Sequence, residues 1–208
     1  MRSSADISTF LSVTAILGFL LIMTASAATY EAGSDLQAAI DRAGPGDTIL
    51  APPGVYDRVE ITKSIALIGD DARISVGERD IGIRIQADDV TVSGFTVEGG
   101  FYGIHLTNSK NCTISNNTVT GCVQWGIGLV FSDDNRIENN VANYNGLGGE
   151  GWYGIYLSNS NRNLISGNVA SDNGEYGICL FPACSENVIR ENAAERTDYG
   201  IYALTDCR

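Results

Sequence analysis

The dipeptide Gly-Ile occurs six times from residue 82 onward, at Gly82-Ile83, Gly103-Ile104, Gly126-Ile127, Gly154-Ile155, Gly177-Ile178 and Gly200-Ile201. The steps are 21, 23, 28, 23 and 23 residues, and a regular period of this length marks a repeat architecture. Three residues after the glycine stands an apolar side chain: Ile85, Leu106, Leu129, Leu157 and Leu180, with Ala203 in the sixth repeat. A second apolar pair follows (Val90 and Val92, Cys112 and Ile114, Leu164 and Ile165, Val188 and Ile189), then a third short piece such as Val119, Val141 or Val169. Alternation with period two reads as strand, and no repeat carries a helical pattern. Three short strands cannot bury an apolar face alone. Stacked coils can, pairing in parallel about 4.8 Å apart, so the fold class is all-β, a solenoid with three short strands per coil.

Three residues beyond Ile114, Ile137, Ile165 and Ile189 stands an asparagine: Asn117, Asn140, Asn168 and Asn192. Asparagine tolerates the left-handed backbone of a tight corner, and stacked asparagines can bond along the column, so these four are expected to form a structural ladder. The 28-residue step carries an insertion around residues 144–152, expected to bulge from a corner. Upstream, residues 36–43 have helical spacing after a Ser34 or Asp35 cap, and Gly44-Pro45-Gly46 stops them. A short helix there would cap the first edge of the stack. Residues 48–50, 59–61 and 65–68 read as strands. The expected layout is a leader at 1–27, cap helix and first coil at 28–80, and repeats at 81–208 with the last coil incomplete.

The leader reading rests on Arg2, an almost wholly apolar run from Phe10 to Met23, and the small-residue pattern Ala25-Ser26-Ala27. The run is shorter than the roughly 20 residues a bilayer span needs, and no later segment could cross. The chain is thus expected to be secreted, to the cell exterior, the cell surface or the periplasm. A formal charge of −12 repels phosphate backbones and argues against a nucleic-acid partner. Five cysteines without a Cys-x-x-Cys pair argue against a zinc ribbon.

The stretch DLQAAIDRAGPGDTILAPPGVYDRVEITKSIALIG, followed by repeats such as GIYLSNSNRNLISGNVASDNG, resembles the NosD-like right-handed β-helix proteins. That group is also described as carbohydrate-binding and sugar-hydrolase β-helices of the pectate-lyase-like superfamily. The resemblance covers about Tyr30 to Cys207 and implies a right-handed parallel β-helix. What it implies about activity is broad: polysaccharide lyases, hydrolases, epimerases, surface proteins and a copper-related periplasmic protein. The motifs of its enzymes are missing, since there is no Gly-His-Gly, no Arg-x-Lys and no Asp-Pro-His. Asp133-Asp134, beside Arg136, is a carboxylate pair within the repeats, and adjacent strand residues point to opposite faces. Copper favours Met, Cys and His, yet both methionines, Met1 and Met23, fall in the leader and His105 is the only histidine. No metal site and no cofactor are expected.

Aromatics remain. The outward column of the Gly-Ile strand is expected to run Arg84, His105, Gly128, Tyr156, Cys179, Tyr202, with His105 an ordinary surface residue. The residues before each glycine (Tyr102, Trp125, Tyr153, Tyr176, Tyr199) share parity with the inward isoleucines and are expected to stack towards the interior or the corner. Sugar rings pack on aromatic rings, and phenols add polar handles. The candidate carbohydrate contacts are therefore Arg84, His105, Trp152, Tyr156, Tyr202, Asp133 and Asp134. Cys184 and Cys207 each lie seven residues after their repeat glycine, which places them one coil apart, within disulfide range. Asn111 and Asn116 head N-glycosylation sequons. The expectation is a non-catalytic glycan-binding or scaffold protein, with association through the open C-terminal coil. The alternatives are a polysaccharide-active enzyme and a copper-related periplasmic protein.

Overall fold

A computed structural model describes residues 26–146, 152–204 and 207. Residues 1–25, most of the expected leader, and residues 147–151 of the insertion lie outside them. The chain winds as a right-handed parallel β-helix. One face is a seven-stranded parallel sheet built from one strand per coil: Val59–Ile61, Ile81–Ile85, Tyr102–Thr107, Trp125–Val130, Tyr153–Ser158, Tyr176–Phe181 and Tyr199–Ala203. The other strands form one larger parallel sheet that folds over two further faces. Ala66–Val76 and Thr91–Gly99 run through the bend between those faces, where the register slips between Ile68 and Ala72. Gly69 and Gly94 sit at that bend so close together that a Cβ on Gly94 would lie 2.2 Å from the Gly69 carbonyl oxygen.

The register is that of the repeat. Ile83, Ile104, Ile127, Ile155 and Ile178 pair rung by rung and are fully buried. So are Ile85, Leu106, Leu129 and Leu157 one step along. Burying each such side chain contributes roughly 1.5–3 kcal/mol, and its neighbours in the column are aliphatic too, so the core packs in layers. The helix spans Leu36–Arg42, with Asp35 as N-cap accepting a bond from the Ala38 amide at 2.9 Å. It lays Leu36, Ala39 and Ile40 on the first coil.

The asparagine column forms as expected. Asn117 Nδ2 donates to Asn140 Oδ1, Asn140 to Asn168, and Asn168 to Asn192, at 3.1, 3.0 and 3.0 Å. The reason differs from the one inferred above. The left-handed residue is the one before each ladder asparagine: Asn116, Asn139, Gly167 and Glu191, at φ of 56°, 56°, 67° and 58°. The ladder asparagines themselves point inward and bond backbone. Two more ladders flank them, Asn135–Asn163–Asn187 and Asn145–Asn173, with Nδ2 to Oδ1 distances of 3.1, 3.0 and 3.2 Å. Ser109, Ser132 and Ser160 line a further corner, where the Ser132 and Ser160 hydroxyls accept the backbone N–H of the serine one coil before, Ser109 and Ser132.

Candidate functional site

The outward column of the seven-stranded face follows the expected register at every step. Arg84 pairs with His105, His105 with Gly128, Gly128 with Tyr156, Tyr156 with Cys179, and Cys179 with Tyr202. The column before each glycine does not go inward. A Cβ on Gly126 would fall 2.7 Å from both Asn145 Nδ2 and the Gly154 carbonyl, so the chain turns in tightly at each glycine. That turn resets the alternation, and the preceding aromatic lands on the outer face beside the residue three positions on. Tyr153 lies 4.7 Å from Tyr156, and Tyr102 lies 4.9 Å from His105, ring centre to ring centre.

The two columns thus merge into one ribbon of rings along the solenoid axis. Tyr102, Trp125 and Tyr156 stack at 4.1 and 4.4 Å, and Tyr153, Tyr176 and Tyr199 at 5.2 and 5.1 Å. Tyr202 closes the far end, 5.2 Å from Tyr176. The rings are half-buried, except Tyr199, which is exposed on the last rung. Gly128 makes room for the indole: a Cβ there would lie 2.6 Å from Trp125 Cε3. Because the rings cover one another's faces, the ribbon presents mainly edges and phenol hydroxyls to solvent. Burial pushes Tyr153 up to about 12 and raises Tyr102, Tyr156 and Tyr176. These phenols therefore stay neutral hydrogen-bonding groups well above neutral pH.

His105 is not an ordinary surface histidine. It is half-buried at the head of the ribbon, edge-on to Trp125 at 5.7 Å, with Nε2 3.3 Å from Thr107 Oγ1. Nδ1 is buried without a partner. Desolvation, with the Arg84 charge adding to it, lowers its pKa to about 4, so it is neutral at physiological pH. Arg84 is exposed and helps to line a cleft of about 340 Å³ with Gln37, Arg58, Val59, Glu60 and Ile81, on the same face just N-terminal to the ribbon.

Asp133 and Asp134 lie in a corner, with Asp134 left-handed at φ 59°. Asp134 takes two bonds from Arg162, both 2.8 Å, and this pairing holds its carboxyl below the usual range. Asp133 accepts from the Asn161 amide and stands 3.9 Å from Lys110 Nζ and 3.5 Å from Arg162. Both carboxylates are thus engaged in ties between coils. Arg136 is bonded instead to Glu138. Trp152 is half-buried at the base of the insertion. Its carbonyl accepts from the Tyr176 amide, and its indole N–H is buried without a partner. Asn111 and Asn116 are exposed at left-handed corners.

The flanking ladders escaped the sequence reading although their signal was present. Asn135, Asn163 and Asn187 each precede a ladder asparagine by five residues. The merging of the aromatic columns was not legible, because strict alternation cannot show where a glycine resets it.

These features define a right-handed parallel β-helix with an aromatic ribbon along one flat face. Residues 47–208 match the family described as "Periplasmic copper-binding protein (NosD)", and the chain belongs to that family. The donor set does not fit the copper in that description. Among the described residues no group of three His, Cys, Asp or Glu could hold an ion, and His105 stands among aromatic rings. A "Cell surface glycoprotein" of Methanothermus fervidus is 35% identical over 77 residues, which is 36% of this chain and 13% of that protein. The solved alginate lyase of Paenibacillus sp. str. FPU-7 superposes with a TM-score of 0.71 at 19% identity, over 79% of this chain and 65% of the lyase. ORF18 of Geobacillus virus E2 gives 0.68 at 18% identity, over 76% of this chain and 38% of its own. At such identities these two structures share the fold alone. No helix of the described residues is long and apolar enough to cross a membrane.

Proposed function

We propose that this is a secreted protein of the cell surface or periplasm that binds polysaccharide along the aromatic ribbon without chemically altering it. The observation that carries the reading is the ribbon itself: rings from five successive coils, Tyr102 to Tyr202, on one flat face. A linear polymer laid along the axis would meet an apolar edge at every coil and a phenol hydroxyl on each coil except that of Trp125. Arg84 in the adjoining cleft adds a charged contact at one end. The carboxylates that could serve hydrolysis, Asp133 and Asp134, are committed to Arg162, Lys110 and Asn161, which favours binding over turnover. The similarity to a surface glycoprotein and the leader at 1–27 support the location. N-terminal sequencing of exported protein would find Ala28 first, and attached glycan would map to Asn111 or Asn116.

Mutual stacking of the rings favours a second reading, a scaffold whose ribbon only ties coils together. Affinity gel electrophoresis on neutral and acidic polysaccharides separates the two. Binding predicts retardation by one polymer, weakened about tenfold in Tyr156→Ala or Tyr202→Ala, a loss near 1.4 kcal/mol. No retardation by any polymer, with both variants less stable, would leave the scaffold reading.

A further inference from the structure

We infer that Cys184 and Cys207 form a redox-sensitive clasp, a disulfide that ties the last coil to the one before it. The inference is independent of the glycan reading. Both residues stand four positions beyond a registered pair, Leu180 with Ala203. They occupy neighbouring rungs of one corner, where the coil spacing of about 4.8 Å lies inside the Cα range of disulfides. The same corner is lined by Ser109, Ser132 and Ser160 in the preceding coils, so the column changes from hydroxyl to thiol in its last two rungs. The sulfurs converge. Cys184 Sγ lies 3.1 Å from the Phe181 carbonyl oxygen and Cys207 Sγ 3.6 Å from that of Leu180, adjacent groups on one strand. Both are reduced here, as are Cys112, Cys122 and Cys179.

The two thiols differ in access. Cys184 is 1% exposed, and burial pushes its thiol up to about 11, whereas Cys207 is half-buried. A small disulfide oxidant therefore meets Cys207 first. The Cys207 thiolate attacks one sulfur of the oxidant, forming a mixed disulfide and releasing one thiol. Cys184 then gives up its proton and attacks the Cys207 sulfur, and the second thiol of the oxidant leaves. Two electrons and two protons pass from the pair to the oxidant. The Cys184–Cys207 bond would staple the rung on which Tyr199 is 51% and Ile201 53% exposed.

The test equilibrates the folded, reduced chain with oxidised glutathione. It then counts alkylatable thiols after denaturation, measures intact mass and maps peptides without reduction. The expected result is two thiols lost, a mass lower by about 2 Da, and a single linked peptide pair carrying Cys184 and Cys207. Cys179→Ser should leave the link intact and Cys207→Ser should abolish it. Oxidation should raise the melting temperature by roughly 5–10 °C in the parent and not in Cys207→Ser. Five thiols still free, a stable glutathione adduct on Cys207, or a link through Cys179 would each overturn the inference.

Discussion

Corners in the N-terminal coils and corners further along solve the same problem with opposite chemistry. In the coil through Thr91–Gly99 the corner side chain is Phe95, 1% exposed and packed into the core. One coil later the equivalent position is Asn117, equally buried, and from there the column is asparagine. The other two ladders begin the same way, with Cys112 and Cys122 donating their amides to Asn135 and Asn145 at 2.8 and 3.1 Å. An apolar corner stabilises through area, in proportion to what it covers. An asparagine corner stabilises only if every bond is made, because an unpaired buried polar group costs about 1–3 kcal/mol. The first kind should lose stability gradually on substitution, the second abruptly.

The largest effect should therefore come from the middle of a ladder. Asn140 accepts from the Asn117 amide and from Asn117 Nδ2, and donates to the Ile114 carbonyl and to Asn168 Oδ1. Asn140→Ala removes all four bonds and leaves two donors and a carbonyl buried. The expected loss is about 3–5 kcal/mol in urea unfolding. A loss under about 1 kcal/mol would show that water replaces the ladder, and the contrast between the corners would fall.

His105 sharpens the contrast from the other side, as a polar group among apolar rings with Nδ1 unpaired. Its pKa falls from the ordinary 6.5 to about 4 on folding. The unfolded chain thus takes up the proton first on acidification. The stability is fully present above pH 6.5 and is lost as pH falls towards 4, by up to about 3 kcal/mol. His105→Gln should remove that part of the acid sensitivity between pH 7 and 4. Trp125, edge-on at 5.7 Å, supplies the readout: its fluorescence should change with a midpoint well below 6.5. A midpoint at 6.5 would mean that the ring is solvated.

Phe95→Asn asks whether the ladder can be extended by one rung. The Phe95 amide already donates to Asn117 Oδ1 at 3.0 Å, so the backbone is in place. Losing the buried ring costs about 3 kcal/mol, and new ladder bonds return about 1 kcal/mol. The expected net loss is about 2 kcal/mol by the same urea measurement. A net gain would mean that the first coils are apolar for a reason other than stability.

Much of this was legible in sequence because a solenoid turns period into contact. The Gly-Ile spacing alone placed Arg84, His105, Gly128, Tyr156, Cys179 and Tyr202 in one column. What was not legible depends on departures from that period. The parity of Trp125 fails at Gly126, where the chain turns in too tightly for alternation to continue. The burial of His105 depends on where the Trp125 indole folds, over a residue, Gly128, whose only contribution is to have no side chain. The left-handed corner falls one residue before the inward asparagine, a distinction that residue type hides where both are Asn, as at Asn116-Asn117 and Asn139-Asn140.

The smallest effect should come from the ion pair that mimics the ladder in spacing but not in surroundings. Arg162 and Asp134 stand 28 residues apart in sequence, as do Asn168 and Asn140, and both contacts join the same two coils. The side chains of the ion pair are 46% and 38% exposed, whereas both asparagines are fully buried. Water and salt screen the charges, and an exposed pair contributes about 0–1 kcal/mol. Asp134 also holds a left-handed backbone, which asparagine adopts as readily, so Asp134→Asn isolates the charge from the turn. Its loss should stay under about 1 kcal/mol and shrink further in 1 M salt, while the loss in Asn140→Ala should not respond to salt. Equal losses in the two variants would mean that coil-to-coil spacing, and not burial, sets the strength of these ties.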